Sequence, residues 1–525
     1  MAQKIQITLQ YEESLESLEK KISVKCPNFQ NYRIISKSLD ARGANQGKTP
    51  TFKYTIEVIN QGEIFSPYKV ICHNLSHKYK TYYQVEKPII IGAGPAGLFC
   101  ALRLAEYGIP SIIIERGSRA HERMKHIARH WRYGEFNSED NVCYGEGGAG
   151  LFSDGKLITR IKSPFVGYVM QKFVEFGAPP ETAFVSNPHL GSNKIRRLIS
   201  TLTEYLLSKK CEIHYNCKVS EFLFDSNDSN QVVGVKTSNG KSYHSDNVVL
   251  ATGHSAKEMY NYLHHNNVSL EHKDFAVGVR VEHLRSDIDK MQYGSFSDKG
   301  LVSSNYKLSH FNNSSNKGTY SFCMCPGGYV LSSGTDCDGI VVNGMSNFKR
   351  NSRWSNSALV VSVQKGVDFS TDDILSGVKF QTDIEQRAFQ ASKARASGKE
   401  IPSQMVKDFL NDKESLKLTK TSCPSKVFSE QLSTLFPNFI NEHLKTAFCD
   451  FNRKIKGFIS NNAMLLAPET RTSAPLTIAR NKDTLQSLSH KGLFPCGEGS
   501  GHAGGITSAA VDGIKVAESI VLPLK

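Results

Sequence analysis

The sequence predicts an α/β fold, and three of its stretches carry that prediction. Ile89, Ile90 and Ile91 run into Gly92-Ala93-Gly94-Pro95-Ala96-Gly97, and a second apolar run ends at Glu115. Val248, Val249 and Leu250 run into Ala251-Thr252-Gly253. Residues 492–514 hold an apolar strand, a glycine-rich turn and a helical pattern. Short apolar runs that stop at glycine suit parallel strands covered on both faces.

In the first stretch, Ala96, Leu98, Phe99, Leu102 and Ala105 recur at helical spacing over 95–107, Gly108 ends the pattern, and residues 111–114 form the next strand. This is a βαβ unit. Gly92, Gly94 and Gly97 fill the G-x-G-x-x-G positions, which serve a tight turn, close approach to a pyrophosphate and close helix–strand packing. Pro95 and Ala96 open a helix whose N-terminus faces the phosphates. Glu115, 18 residues beyond Gly97 and followed by Arg116, is placed to accept hydrogen bonds from an adenosine ribose.

Composition bounds the rest. A chain of 525 residues exceeds one compact core, so two or three domains are expected. Hydrophobic content of 39% and aromatic content of 10% are those of a globular protein. No run approaches the roughly 20 apolar residues of a membrane span. The N-terminus alternates like a strand and carries early acids, unlike a targeting peptide, so a cytoplasmic location is expected. The 12 cysteines are scattered without disulfide or metal-ligand spacing; reduced thiols and no metal are expected. The net charge of +14 would attract polyanions. Its densest cluster, with Arg123, Lys125, Arg129 and Arg132, reads as a solvated helix face or as an anion or nucleic-acid contact.

In chain order, residues 1–80 form a small α+β domain, with strands at 5–9, 32–40 and 53–58, a helix at 12–21 and a hairpin loop at 45–48. A polar stretch at 73–80 leads into the first part of the nucleotide-binding domain, 86–270. The glycine run at 144–156 offers bare backbone at Gly147, Gly148 and Gly150, with Ser153, to a flat ligand. Helices are expected at 165–176 and 193–208 and a strand at 211–219. A β-meander follows, with strands at 219–224, 231–237 and 241–245 and a turn at Asn239-Gly240; Val219 at its start is a candidate cofactor contact.

Residues 271–460 read as an inserted substrate or cap domain. Strands at 275–282, 319–324, 329–332 and 359–363 are expected in one antiparallel sheet, with helices at 378–398, 404–410 and within 428–451. Residues 461–525 return to the cofactor: Gly497-Glu498 is placed to contact a ribityl chain. The helix beginning near Gly504, Gly505 and Ile506 aims its dipole at a flavin N1–C2=O edge. The predicted fold is a Rossmann-type FAD-binding domain with an inserted β-meander and an inserted α+β substrate domain, plus the small N-terminal α+β domain.

The chain resembles, nearly end to end, the FAD-dependent (NAD/FAD-utilising) dehydrogenases, a branch of the glutathione-reductase-like two-dinucleotide-binding-domain flavoproteins. The resemblance rests on 38–42, 92–97, 145–157, 251–256, 320–328, 341–345, 469–473 and 497–514. It implies non-covalent FAD and a redox role. Glu498 stands where such flavoproteins more often carry Asp.

FAD carries hydride chemistry, so the protein supplies orientation and electrostatics. Residues 120–525 hold no second G-x-G-x-x-G after a strand, so NAD(P)H is expected only as a transient electron donor. Candidate catalytic residues are His502 as acid or base, Arg471 as a clamp on an anionic substrate, and Cys325. Each has a structural alternative: a loop-shaping hydrogen bond for His502, an ion pair with Glu469 or another acid for Arg471, and for Cys323 and Cys325, which share one face of a regular strand, packing in place of a redox-active pair or a cysteine near the flavin. The leading expectation is a dehydrogenase for a small, anionic organic substrate, passing electrons to a further partner. A flavin monooxygenase and a flavoprotein that modifies or binds nucleic acid are the alternatives.

Overall fold

The computed structural model describes residues 2–65 and 86–521, so the expected boundary at 80 and the polar stretch at 73–80 lie outside the described residues. Strands Gln3–Gln10 and Phe29–Asp40 flank Thr51–Asn60 in an antiparallel sheet. Helix Leu15–Lys25 buries Leu18 and Ile22 against Ile7, Leu9 and Ile56. The Lys37 N–H donates to the Phe184 carbonyl at 3.0 Å, tying this unit to the next.

Five parallel strands form the second unit, in the order Leu493–Pro495, Val248–Leu250, Ile89–Ile91, Ile112–Ile114, Glu212–His214. The pleat explains why the apolar runs are unbroken. Ile90, Ile113, Val249 and Phe494 face a layer made by helices Pro95–Glu106, Phe165–Glu175, Gly191–Ser208 and Ile506–Val521. Ile89, Ile91, Val248 and Leu250 face the meander and the helix Lys257–His265. Each fully buried isoleucine contributes roughly 1.5–3 kcal/mol. The meander strands are Val219–Phe224, Val232–Thr237 and Ser242–His244. The strand expected at 211–219 is only Glu212–His214, because Asn216 at φ +51° turns the chain before Val219.

The inserted region is a seven-stranded mixed sheet, in the order Ser309–Asn312, Lys317–Cys325, Trp354–Val363, Phe275–Leu284, Met464–Glu469, Ile401–Met405, Val427–Ser429. Three expectations are corrected here. Tyr329–Ser332 leaves the sheet after the turn at Gly327, φ +49°, and pairs with Val342–Met345 in a separate ribbon. The helix expected at 404–410 is strand Ile401–Met405 followed by the short helix Val406–Leu410, since pairing on both edges buries all five strand residues. Met464–Glu469 pairs with Phe275–Leu284, so the insertion extends beyond the expected boundary at 460. Helices Ser376–Arg395 and Asn438–Lys454 pack on this sheet. No helix among the described residues is long and apolar enough to cross a membrane.

Candidate active site

A cleft of about 610 Å³ opens at the carboxyl ends of the parallel strands, between that sheet and the inserted region. Open α/β sheets bind ligands at this edge. Of the sequence-predicted cofactor residues, Gly92, Gly94, Pro95, Ala96, Glu115, Arg116, Gly148, Gly150, Ser153, Val219, Ala251, Thr252, Gly253, Glu498, Gly504, Gly505 and Ile506 line it.

At one end, Glu115 Oε2 accepts from Ala93 N–H at 2.8 Å, and Oε1 accepts from Gly117 at 3.0 Å and Gly145 at 2.9 Å. Three backbone donors therefore fix the carboxylate that faces the cleft. Arg116 lies 4.0 Å from the Tyr144 ring centroid and pairs with Glu139 and Glu258. In the middle, Glu498 Oε1 lies 3.6 Å from His254 Nδ1.

The glycine run is held from behind by Arg123. Its guanidinium is fully buried and donates to the carbonyls of Asn141, Val142, Glu146 and Gly148. Burial pulls the Arg123 pKa down to about 10, against the pull of Glu115 and Asp140. Helical spacing suggested a solvated face for this cluster; the structure turns Arg123 inward.

Five candidates do not line the cleft. A Cβ at Gly97 would lie 2.0 Å from the Gly92 carbonyl oxygen, so this residue serves helix–strand packing. Gly147 faces Leu151 and Ile199, and Gly497 donates to Asp512 Oδ2 at 2.8 Å against Ala96. Cys325 is fully buried behind Cys323, which does line the cleft. His502 Nε2 sits 3.0 Å from the Ile478 carbonyl oxygen, and burial, then the nearby Arg480 charge, lowers its pKa below the ordinary imidazole value. This contact ties the His502 ring to the strand Leu476–Ile478 rather than to the cleft. We expect His502→Gln to keep turnover and the flavin spectrum within about threefold while costing about 1 kcal/mol, measured by steady-state kinetics and melting.

Arg471 reaches the cleft wall but is committed to other partners: Glu385 at 2.9 Å, Asp336 at 3.2 Å and Thr335 Oγ1 at 2.6 Å. Glu469 instead pairs with Arg280 at 2.7 Å. Arg280 also donates to Asn356 Oδ1 at 2.7 Å and Asn343 Oδ1 at 3.0 Å, which fixes Asn343 at the cleft. Sequence reasoning missed Asn343, Lys156, Phe322 and Tyr144 as cleft residues. Lys156 and Asn343 sat inside glycine-containing runs already singled out, which was the available signal.

The residues fit a dinucleotide of the FAD kind. Gly94 precedes its helix with no side-chain cap, and a Cβ there would meet nothing nearer than Gly148 Cα at 4.0 Å. The first N–H groups of helix Pro95–Glu106 thus remain available to phosphates. Gly504 and Gly505, before helix Ile506–Val521, have nothing within 4 Å of a Cβ position.

Two family models match the chain in agreement with this geometry. A family model described as pyridine nucleotide-disulphide oxidoreductase matches residues 86–274, and one described as FAD-dependent protein, C-terminal domain-like, matches 274–472. An uncharacterised protein of Clostridium beijerinckii is 36% identical over 533 residues, covering 98% of this chain and 97% of its own length. Among solved structures, flavin-dependent brominase Bmp2 is similar at TM-score 0.37 and 12% identity, over 84% of this chain and 80% of its own. Glycine oxidase from Bacillus cereus is similar at TM-score 0.31 and 13% identity, over 84% and 96%.

Proposed function

We propose, from the premise that this chain belongs to the family of FAD-dependent oxidoreductases, that it transfers a hydride between FAD and a small anionic organic substrate. Lys156 carries this reading. It lines the cleft, its Nζ reaches the Met324 carbonyl, and no carboxylate among the described residues pairs with it. A partly buried ammonium without an acid attracts an anion more strongly than a solvated one.

FAD, when bound, supplies the hydride chemistry. The chain's own part is to orient and enclose. The N-terminus of helix Ile506–Val521 favours negative charge at the cleft end that also holds Gly150. The Arg280–Glu469 pair holds Asn343 in the opposite wall. We assign 86–270 and the C-terminal segment to the FAD domain, the inserted sheet to the substrate domain, and NAD(P)H to transient delivery of electrons.

An anaerobic screen of flavin bleaching tests this, with carboxylates, phosphate esters, their neutral analogues, NADH and NADPH. Anionic compounds should bleach the flavin. Lys156→Met should then lower kcat/KM about 10- to 100-fold through KM, with FAD content unchanged. Equal bleaching by the neutral analogues, or an unchanged kcat/KM in Lys156→Met, would remove the reading.

A further inference from the structure

We propose that Cys323 and Cys325 form a redox-active dithiol that exchanges two electrons with the flavin. The inference depends on FAD as the cofactor and holds whichever substrate Lys156 receives.

Three observations carry it. The first is placement. Cys323 lines the cleft beside Phe322, Asn343 and Glu469, while Cys325, fully buried, lies behind it with Sγ 3.2 Å from the Cys323 carbonyl oxygen. One thiol faces the cofactor cleft and the second lies buried beside it.

The second is backbone geometry. In a regular strand, residues two apart lie roughly 6.5–7 Å apart, at or beyond the upper limit for a disulfide. Here the strand is bulged: Phe322 pairs with Ala358 and Cys325 with Asn356, so three steps on this strand match two on its neighbour. Cys323 takes up the extra length at φ +43°, a conformation side chains rarely adopt. The bulge breaks the period-two alternation across Cys-Met-Cys, so the strand expected to carry both thiols on one face is not regular there.

The third is charge. A hydrogen bond from Cys325 first, then Lys156 and Arg280 against the opposing effect of burial, lower the Cys323 pKa below the ordinary thiol value. The same contact and burial raise that of Cys325. An acidic outward thiol backed by a protonated inward one is the asymmetry that thiol–disulfide chemistry uses.

The step balances without an external reagent. Both S–H bonds break, one Sγ–Sγ bond forms between Cys323 and Cys325, and two electrons and two protons pass to the oxidised cofactor, leaving it two-electron reduced. The reverse step reduces the disulfide. This pair comes from the inserted sheet; the chain has no C-x-x-x-x-C after its first βαβ unit.

The test treats the holoenzyme with diamide, removes the excess, and titrates anaerobically with dithionite. Wild type should accept about four electron equivalents per flavin before full reduction, and Cys323→Ser about two. In a parallel readout independent of the flavin, alkylation under denaturing conditions followed by mass spectrometry should find Cys323 and Cys325 linked after diamide in wild type, with Cys325 alkylated in Cys323→Ser. Two electrons in both proteins, or free alkylation of Cys323 in diamide-treated wild type, overturns the proposal. If Cys323→Ser does not retain flavin, the thiol map of wild type decides alone.

Discussion

Gly94→Glu yields a folded protein that elutes colourless from a desalting column. Gly94 has φ −80° and ψ −178°, an extended backbone that any residue adopts, and its Cβ position opens onto the cleft. A glutamate there costs the fold little and puts a carboxylate where the helix N-terminus awaits phosphate. Repulsion and lost approach should lower FAD affinity at least about a thousandfold, or about 4 kcal/mol. Melting temperature should fall only by the stabilisation that bound FAD provides. Gly97→Val is the contrast. Its Cβ would lie 2.0 Å from the Gly92 oxygen and 3.1 Å from Ile90 Cγ2, so helix and strand must part, and little soluble protein is expected. The ratio of flavin to protein absorbance, with far-ultraviolet circular dichroism, separates the two. Full retention of FAD by Gly94→Glu would mean that the phosphates do not lie at this helix.

The contrast also shows what the sequence made legible. Gly94 and Gly97 are local features: a strand, a turn and a helix within one βαβ unit, where spacing alone assigns the roles. Glu115 was legible for the same reason, but its donors at Gly117 and Gly145 were not, because Gly145 comes from the later glycine run. Arg123 was misread because helical spacing says which residues share a face, not which face is buried. Residues 329–332 and 401–405 have strand character, yet their partners are set by the Gly327 turn and by pairing with Met464–Glu469. Cys323 and Cys325 were legible as a pair two apart, but not which of them lines the cleft, because period-two alternation fails at a bulge that depends on the register with Trp354–Val363. Lys156 reads as one more cation in a chain of +14, and only the fold shows that no carboxylate among the described residues pairs with it.

The second large effect concerns Glu385, a residue with no sequence signal at all. It sits in helix Ser376–Arg395 of the inserted region with no exposed surface. It accepts from Arg471 at 2.9 Å, from Lys257 at 2.6 Å and from Thr470 Oγ1 at 2.6 Å. Lys257 opens a helix on the nucleotide-binding side, so this carboxylate pins the two walls of the cleft. Glu385→Ala leaves Asp336 as the one carboxylate among the described residues that pairs with Arg471 and Lys257, with Thr335 Oγ1 still accepting from Arg471, and should cost about 3–5 kcal/mol. The pH dependence follows from the same cluster. Burial alone would raise the carboxyl, but Arg471 and Lys257 outweigh it and hold the pKa at about 2, against an ordinary 4.5. A carboxyl lowered in the folded state stabilises fully above its unfolded value, and that contribution, about 3 kcal/mol, drains away as pH falls from 4.5 towards 2. Urea unfolding across that window should lose stability more steeply in wild type than in Glu385→Gln, whose amide does not titrate. Parallel pH profiles for the two proteins would show that the cluster does not hold the cleft walls together.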